Sequence, residues 1–217
     1  MTTWSVLKKK GGERHVVMLG QKKGRKTMES MSILWQRIEQ GFATHSPHLL
    51  DLLRPGASEE ELLQAEKALG VPLPEDFKTC YRLHNGGCLL APLGCSEHIT
   101  LSLNQIVGIP REVVALARPG TKHDDGNNGT WPVQPFLWHP QRIPFLWGGY
   151  GSEFFCLDMV PGPGGQVGQI VFAPHALQTP DLIAPSFQAF VAKAADDMEA
   201  YNYEFDPESP PSASEWY

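Results

Sequence analysis

The chain has 217 residues, of which 18 are Lys or Arg and 24 are Asp or Glu, and its formal net charge at pH 7 is −6. Its length suits one domain with tails, and 41% hydrophobic residues can supply a core. The 21 Gly and 19 Pro residues indicate many loops, but they fall below the fraction of about 25–30% that marks low-complexity chains. Composition therefore excludes a disordered or fibrous protein.

The charge is distributed unevenly along the chain. Residues 1–27 carry eight basic side chains and one acidic side chain, and we expect them to form a flexible basic tail. A nucleic-acid-binding or targeting arm is the alternative, and a natural start at Met28 or Met31 would leave this segment untranslated. Residues 28–217 carry ten basic and 23 acidic side chains. This acidic body disfavours nucleic acid and anionic membranes and favours a basic partner.

No export or membrane signal is evident in the sequence. The apolar run Val16–Leu19 is shorter than the apolar region of about 7–15 residues that a secretory signal needs. No stretch approaches 18 consecutive apolar residues, the length at which a membrane-spanning helix is considered. We therefore expect a cytoplasmic protein.

Helical patterns dominate the first third of the acidic body. Residues 30–53 have apolar positions near helical spacing, with a break at His45–Pro47. Ser58 and Glu61 have the spacing of a capping box, and the helix that they begin should end at Gly70. A further helix is predicted after Pro74, up to the glycines that follow Asn85.

Strand patterns follow the helices. Cys88–Leu93 and His98–Leu103 are the first two candidates, and a short helix is predicted over Gln105–Ala117. Three more candidates are separated by tight Gly-rich turns, which predicts an antiparallel meander; they are Ile143–Trp147, Glu153–Met159 and Gln166–Phe172. A last amphipathic helix begins near Pro185.

This order of elements predicts an α+β fold with N-terminal helices, a central antiparallel sheet and a C-terminal helix packed on it. We expect one domain over residues 28–200, between the basic tail of residues 1–27 and a flexible C-terminal tail at 201–217. Residues 119–135 read as a polar, Gly-rich loop.

The sequence contains no nucleotide-binding or hydrolase motif. Glu153 and Asp158 are five residues apart on one predicted strand, so their side chains point to opposite faces and cannot flank one bond. Cys80 and His84 lie one helical turn apart, but they share a face with Phe77, which favours core packing over a nucleophilic pair. The four cysteines lack the paired spacing of a zinc site. We predict no catalytic residues, no metal and no cofactor.

Aromatic residues are concentrated between positions 131 and 150. Four of them lie near Gly or Pro at predicted strand ends and loops, where a large ring with a polar atom suits an interface anchor. Packing in the core is the alternative for each. The predicted binding residues are Trp131, Trp138, Trp147 and Tyr150, together with Glu153.

A series of motifs is found in the segments Leu53–Ser58, Leu69–Phe77, Tyr81–Gly87, Ile143–Phe145, Gly149–Gly151, Cys156–Asp158, Gly168–Val171 and Ala184–Phe190. This series resembles the SUKH superfamily, which includes fungal cell-wall regulators of the Smi/Knr type and bacterial toxin-immunity proteins. The resemblance covers about residues 30–200 in the same order. At two positions the chain departs from the family pattern: Arg142 stands where a Trp often precedes Ile-Pro, and Ser152 stands where an Asp often follows Gly-x-Gly.

The resemblance implies a binding protein without a catalytic site. Its bacterial members suggest an immunity protein that neutralises a basic toxin domain, often a nuclease, and the acidic body suits steered association with such a partner. A regulator of cell-wall assembly is the alternative, and an enzyme of unrecognised type is the third hypothesis. We expect a monomer or weak dimer.

Overall fold

The computed structural model describes residues 2–6, 16–20, 29–87, 98–109, 132–134, 139–148, 153–173 and 180–200. For residues 2–6 and 16–20 it describes the backbone, which forms strands β1 (Thr2–Val6) and β2 (Val16–Gly20) of an antiparallel hairpin. This hairpin was not anticipated within the predicted basic tail. The predicted strand Cys88–Leu93 and the C-terminal tail at 201–217 lie outside the described residues.

The remaining described elements confirm the α+β fold class, with helices before and after one five-stranded antiparallel sheet. The helices are α1 (Met31–His45), a 3-10 helix (Pro47–Leu52), α2 (Glu59–Leu69), α3 (Glu75–Leu83), α4 (Leu103–Gly108) and α5 (Phe187–Glu199). The strands are β3 (His98–Thr100), β4 (Arg142–Gly148), β5 (Glu153–Asp158), β6 (Gln169–Ala173) and β7 (Asp181–Ala184), which lie in the order β3-β4-β5-β6-β7.

Helix ends follow the capping residues. Ser30 accepts a hydrogen bond from the backbone N–H of Ile33 at the start of α1. Ser58 and Glu61 form the predicted capping box of α2, and Gly70 ends that helix with φ +69°. Because the left-handed region costs Gly little, this residue is a natural helix terminator.

The strand predicted over His98–Leu103 is shorter in the structure and gives way to a helix. β3 ends at Thr100, since Ser102 and Gln105 form a second capping box that begins α4. The alternating sequence pattern therefore concealed a helix start. α4 ends at Gly108, and residues 110–117 of the predicted helix lie outside the described residues.

The predicted meander is confirmed, and it has one additional strand. β4, β5 and β6 pair in sequence order, with a register shift in β4 between Pro144 and Leu146. β7 pairs with β6 directly before α5. Its four residues were not predicted, because so short a strand carries little periodicity.

Helices and sheet share one aromatic core. Phe145 of β4 lies edge-on to Phe187 and Phe190 of α5, with ring centroids 5.1 and 5.4 Å away. Phe77 of α3 contacts the same group and stacks on Tyr81 at 4.3 Å. All five side chains are fully buried. Rings at these distances and angles stabilise each other beyond the area that they bury, so this cluster fixes the helices on one face of the sheet.

Candidate functional site

The sheet face turned away from the helices carries the candidate site, and we call it the second face. Alternate residues of β4, β5 and β6 point to this face, and register partners form rungs across the three strands. One rung is Trp147–Phe154–Ala173, and the next contains Cys156 and Val171. Phe154, Cys156, Val171 and Ala173 are buried together with Val133 in a second apolar cluster.

The next rung consists of the polar residues Arg142, Asp158 and Gln169, and we call it the polar rung. All three residues are buried, with exposed fractions of 1%, 0% and 1%. Arg142 Nε lies 3.5 Å from Asp158 Oδ1, and Gln169 donates from Nε2 to Asp158 Oδ2 at 2.9 Å. The backbone N–H of Val160 donates to Asp158 Oδ1 at 3.2 Å. Asp158 is thus surrounded by donors, as a buried carboxylate must be.

The polar rung also binds the backbone of residues 132–134. Arg142 Nη2 donates to the carbonyl oxygen of Gln134 at 2.6 Å, and Gln169 Nε2 donates to that of Pro132 at 2.8 Å. The backbone N–H of Gly162 donates to the same Pro132 oxygen at 2.9 Å. The polar rung therefore joins β4, β5 and β6 to residues 132–134, a segment that is close to β4 in sequence but distant from β5 and β6.

The five predicted binding residues are described to different extents. Trp147 is half-buried and stacks on Phe154, with ring centroids 6.4 Å apart and planes 23° apart. Glu153 begins β5, and the structure describes its backbone. Trp131, Trp138 and Tyr150 lie outside the described residues. A binding role for all five stays a prediction.

Burial governs the ionisation of two groups near the polar rung. Burial raises the pKa of the Cys156 thiol to about 12, so this side chain is a neutral apolar group and not a nucleophile. Burial, followed by the positive charge of Arg142, lowers the pKa of His139. Its Nδ1 accepts from the backbone N–H of Gln141 at 3.1 Å, which requires that nitrogen to be unprotonated.

The groups considered for enzymatic chemistry do not converge. Cys80 Sγ accepts from Trp35 Nε1 at 3.2 Å in the helical core. His84 Nε2 lies 2.8 Å from Glu39 Oε1, and its ring is 4.5 Å from that of Trp35. Asp158 is enclosed within the polar rung on the opposite side of the sheet. Core packing therefore accounts for Cys80, as the sequence indicated.

Two searches of the described residues give negative results. Within residues 29–87, 98–109, 132–134, 139–148, 153–173 and 180–200, no group of three or more His, Cys, Asp or Glu side chains is arranged to hold a metal ion. Among the helices in the described part of the chain, none is both long enough and apolar enough to span a membrane.

Sequence reasoning did not identify the polar rung. Arg142 was noted as a departure from a family pattern, and Asp158 was considered as half of a hydrolase pair. The predicted strands give only a partial signal: Arg142 directly precedes the first, Asp158 is next to the last residue of the second, and Gln169 lies within the third. Only the strand register shows that these positions coincide, because Arg142 pairs with Asp158 and Asp158 with Gln169.

Comparison with known proteins identifies a matching family and several fungal relatives. The sequence model of the SMI1 / KNR4 family (SUKH-1) matches residues 56–193. A "Glucan synthesis regulatory protein" of Neurospora crassa is 25% identical over 204 residues, which are 76% of this chain and 38% of that protein. "Cell wall assembly regulator SMI1" of Saccharomyces cerevisiae is 23% identical over 207 residues, which are 79% of this chain and 41% of that protein.

A shorter similarity extends to animals. "F-box only protein 3" of Homo sapiens is 34% identical over 58 residues, which are 27% of this chain and 12% of that protein. The chain spans about two fifths of the length of the fungal relatives described above. Both of these fungal relatives are named as regulators.

Proposed function

Because this chain belongs to the SMI1 / KNR4 family (SUKH-1), we propose that it is a non-enzymatic regulator of cell-wall assembly that acts by binding other proteins. The observation that carries the proposal is the match of its folded core to fungal proteins named as regulators of glucan synthesis and of cell-wall assembly. Since the chain spans only part of these relatives, their activity as whole proteins is part of the proposal.

The chemistry of the described surface and core is compatible with a binding role. The polar groups on the second face are enclosed and bonded to each other, so they hold backbone in place and are unavailable to a substrate. Residues 28–217 carry 23 acidic against ten basic side chains. Such an excess favours fast association with a basic partner.

The fungal relatives favour the second of the two binding hypotheses that the sequence suggested. Toxin immunity was the first of these and cell-wall regulation was the alternative. The fungal names support the alternative, and no relative described above is named as an immunity protein. Toxin immunity is therefore treated as the competing function in the experiment described next.

The test replaces the similar segment of the yeast regulator with this chain. The full 217-residue chain takes the place of the matching part of "Cell wall assembly regulator SMI1" in a strain that lacks the native protein. We expect the chimera to restore β-glucan content and growth on a dye that binds the cell wall. A Phe145→Ala chimera, which loses a central core ring, is the control for a folded domain.

Two results would contradict the proposal. One is a chimera that accumulates to the native level and restores neither readout. The other is rescue of a bacterial host, by the unmodified chain, from a toxin encoded beside its own gene, together with a stable complex of the two proteins. The second result would establish immunity as the function.

A further inference from the structure

A groove with a volume of about 350 Å³ runs along the outer face of α1, beside the end of α5. Ile33, Gln36, Gln40 and Thr44 line it at intervals of three or four residues, so they lie above one another on the helix and form a stripe. The stripe spans about three helical turns, or about 16 Å. We call this feature the α1–α5 groove.

The side chains of the stripe are uncharged and accessible. Ile33 is 46% exposed, and Gln36, Gln40 and Thr44 are exposed as well. Depletion of charged side chains marks the centre of protein interfaces more reliably than hydrophobicity does. In a body with 23 acidic side chains, an uncharged stripe along three turns of a helix favours contact with another protein.

Gly41 shapes the floor of the groove, where α5 crosses α1. A Cβ at this position would lie 2.0 Å from Met198 Cγ, so only glycine lets α5 approach α1 this closely. Glu199, the next residue of α5, therefore borders the groove directly. His45 lines the end of the groove at the last turn of α1.

The edge of the groove on the α5 side is acidic. The Arg37 guanidinium contacts Asp196 and Glu199 at 2.6 Å and Glu29 at 2.7 Å. Three carboxylates around one guanidinium leave an excess of negative charge. The side chains of Asp196 and Glu199 are 51% and 54% exposed, whereas that of Arg37 is 16% exposed. This acidic rim, formed by Asp196 and Glu199, therefore presents negative charge to the solvent and attracts cationic side chains.

The α1–α5 groove lies outside the segment that identifies the family. Its lining residues fall within positions 33–45 and at Glu199, whereas the family model matches residues 56–193. Membership of the family therefore does not imply this surface.

We propose that the α1–α5 groove binds a basic amphipathic helix of a partner protein. The apolar side chains of that helix pack on the stripe of α1, and its Lys or Arg side chains contact the acidic rim. Helices that dock in grooves present apolar residues at i, i+3, i+4 and i+7, a length that the stripe accommodates. The proposal rests on the proposed function in one respect, since both require the chain to bind protein.

Synthetic helices with the full 217-residue chain test the chemistry of the occupant. The probe is a fluorescently labelled peptide of Leu and Lys, with the leucines at the helical spacing given above, and fluorescence anisotropy gives its Kd. In one control peptide Glu replaces every Lys, and in the other Gln replaces every Leu. We expect the Leu and Lys peptide to bind and both control peptides to fail. A Leu and Lys peptide that does not bind would overturn the proposal.

Two pairs of matched variants locate the binding. Ile33→Gln removes the apolar contact and should keep the start of α1, because Gln suits the third helical position of a capping box with Ser30. Gln40→Lys places a positive charge in the middle of the stripe. Leu63→Gln and Gln64→Lys make the same changes on α2, where Leu63 is 64% exposed and Gln64 is exposed. Neither control residue lines the α1–α5 groove.

We expect Ile33→Gln and Gln40→Lys each to weaken binding of the Leu and Lys peptide by about tenfold. The two α2 variants should leave its Kd unchanged. Equal weakening in the groove and α2 variants would show attraction to the acidic body in general, and the assignment to the groove would be wrong.

A second copy of this chain is the competing occupant. Sedimentation of the protein alone tests it: a dimer that Ile33→Gln or Gln40→Lys dissociates would replace the basic helix as the occupant. A monomer whose peptide binding is lost in the same variants supports the proposal. Because the yeast chimera is judged by β-glucan content, failure of the peptide to bind removes the groove proposal and leaves the proposed function to its own test.

Discussion

Arg142 and Trp147 illustrate, residue by residue, how far the sequence could predict the candidate site. The sequence predicts Trp147 at the end of a strand, and in the structure it lies one residue before the end of β4 and stacks on Phe154. The pairing of Arg142 with Asp158 could not be predicted in this way, since a one-residue change of register would move Arg142 to the other face. Hydropathy also misleads at Arg142, because it predicts an exposed side chain. Charged residues are almost never fully buried unless they are paired, and the sequence alone does not show that Asp158 is the partner.

His139 allows a prediction of pH dependence near the polar rung. Its pKa is lowered in the native state, whereas a His in an unfolded chain has a pKa of about 6.5. The unfolded chain therefore binds the proton more readily, and the stability that neutral His139 contributes is complete above about pH 6.5 and is lost as the pH falls through the lower native value.

We expect the free energy of unfolding to decrease between pH 7 and pH 5 by less in His139→Gln than in the unmodified protein. Urea denaturation at a series of pH values measures this difference. If the free energy of unfolding changed with pH in the same way in both proteins, His139 would not be the source of this pH dependence.

The turn after α3 shows how single glycines connect whole elements. Gly86 has φ +78°, and a Cβ there would lie 2.6 Å from the backbone nitrogen of Ser102 and 2.7 Å from the carbonyl carbon of Leu101. The backbone N–H of Gly87 donates to the oxygen of Thr100 at 2.8 Å, and Asn85 Oδ1 accepts from the N–H of Leu103. The turn thus joins the helical layer to the start of α4.

Gly70 is a matched comparison for Gly86, since its φ is +69° but no atom lies within 4 Å of the position of a Cβ. We expect Gly70→Ala to cost about 1 kcal/mol of unfolding free energy, from backbone strain alone. Gly86→Ala should cost about 3 kcal/mol or more, because the β3–α4 backbone must also move. Equal costs in urea denaturation would show that the close approach is unimportant.

Among the secondary-structure elements, those with their own local signals were predictable. Ser58, Glu61 and Gly70 mark both ends of α2 in the sequence. β7 has no comparable signal, because it forms by pairing with β6, and its four residues have no clear alternation. Local chemistry therefore specified the helix ends, while tertiary pairing decided the edge of the sheet.

Across the whole molecule, Arg37 joins distant parts of the chain. Its guanidinium contacts Glu29, which precedes α1, and both Asp196 and Glu199 in the last turn of α5, at 2.6–2.7 Å. Hydrogen bonds to Glu199 and Asp196 raise the pKa of Arg37, against the effect of burial. These contacts complement the packing of α1 on α5, where Gly41 leaves room for Met198.

We expect Arg37→Met to lower the unfolding free energy by about 1–2 kcal/mol, since three carboxylates lose their shared partner. Arg82 is the control, because it bridges Glu59 and Glu75 on neighbouring helices and is more exposed. Arg82→Met should cost less than Arg37→Met, because water screens the ion pairs of an exposed side chain. Both costs should shrink in 1 M salt, and equal costs in denaturant titrations would contradict the long-range role of Arg37.

The ion pairs of Arg37 also bear on how this fold is used in longer proteins. Glu29 and Glu199 contact the same guanidinium group, so the two ends of the described region from residue 29 to residue 200 lie close together. Domains whose ends are close together can be inserted into another chain with little distortion of either part. The close ends of this region suit a family in which the similar segment is 38% and 41% of two fungal relatives.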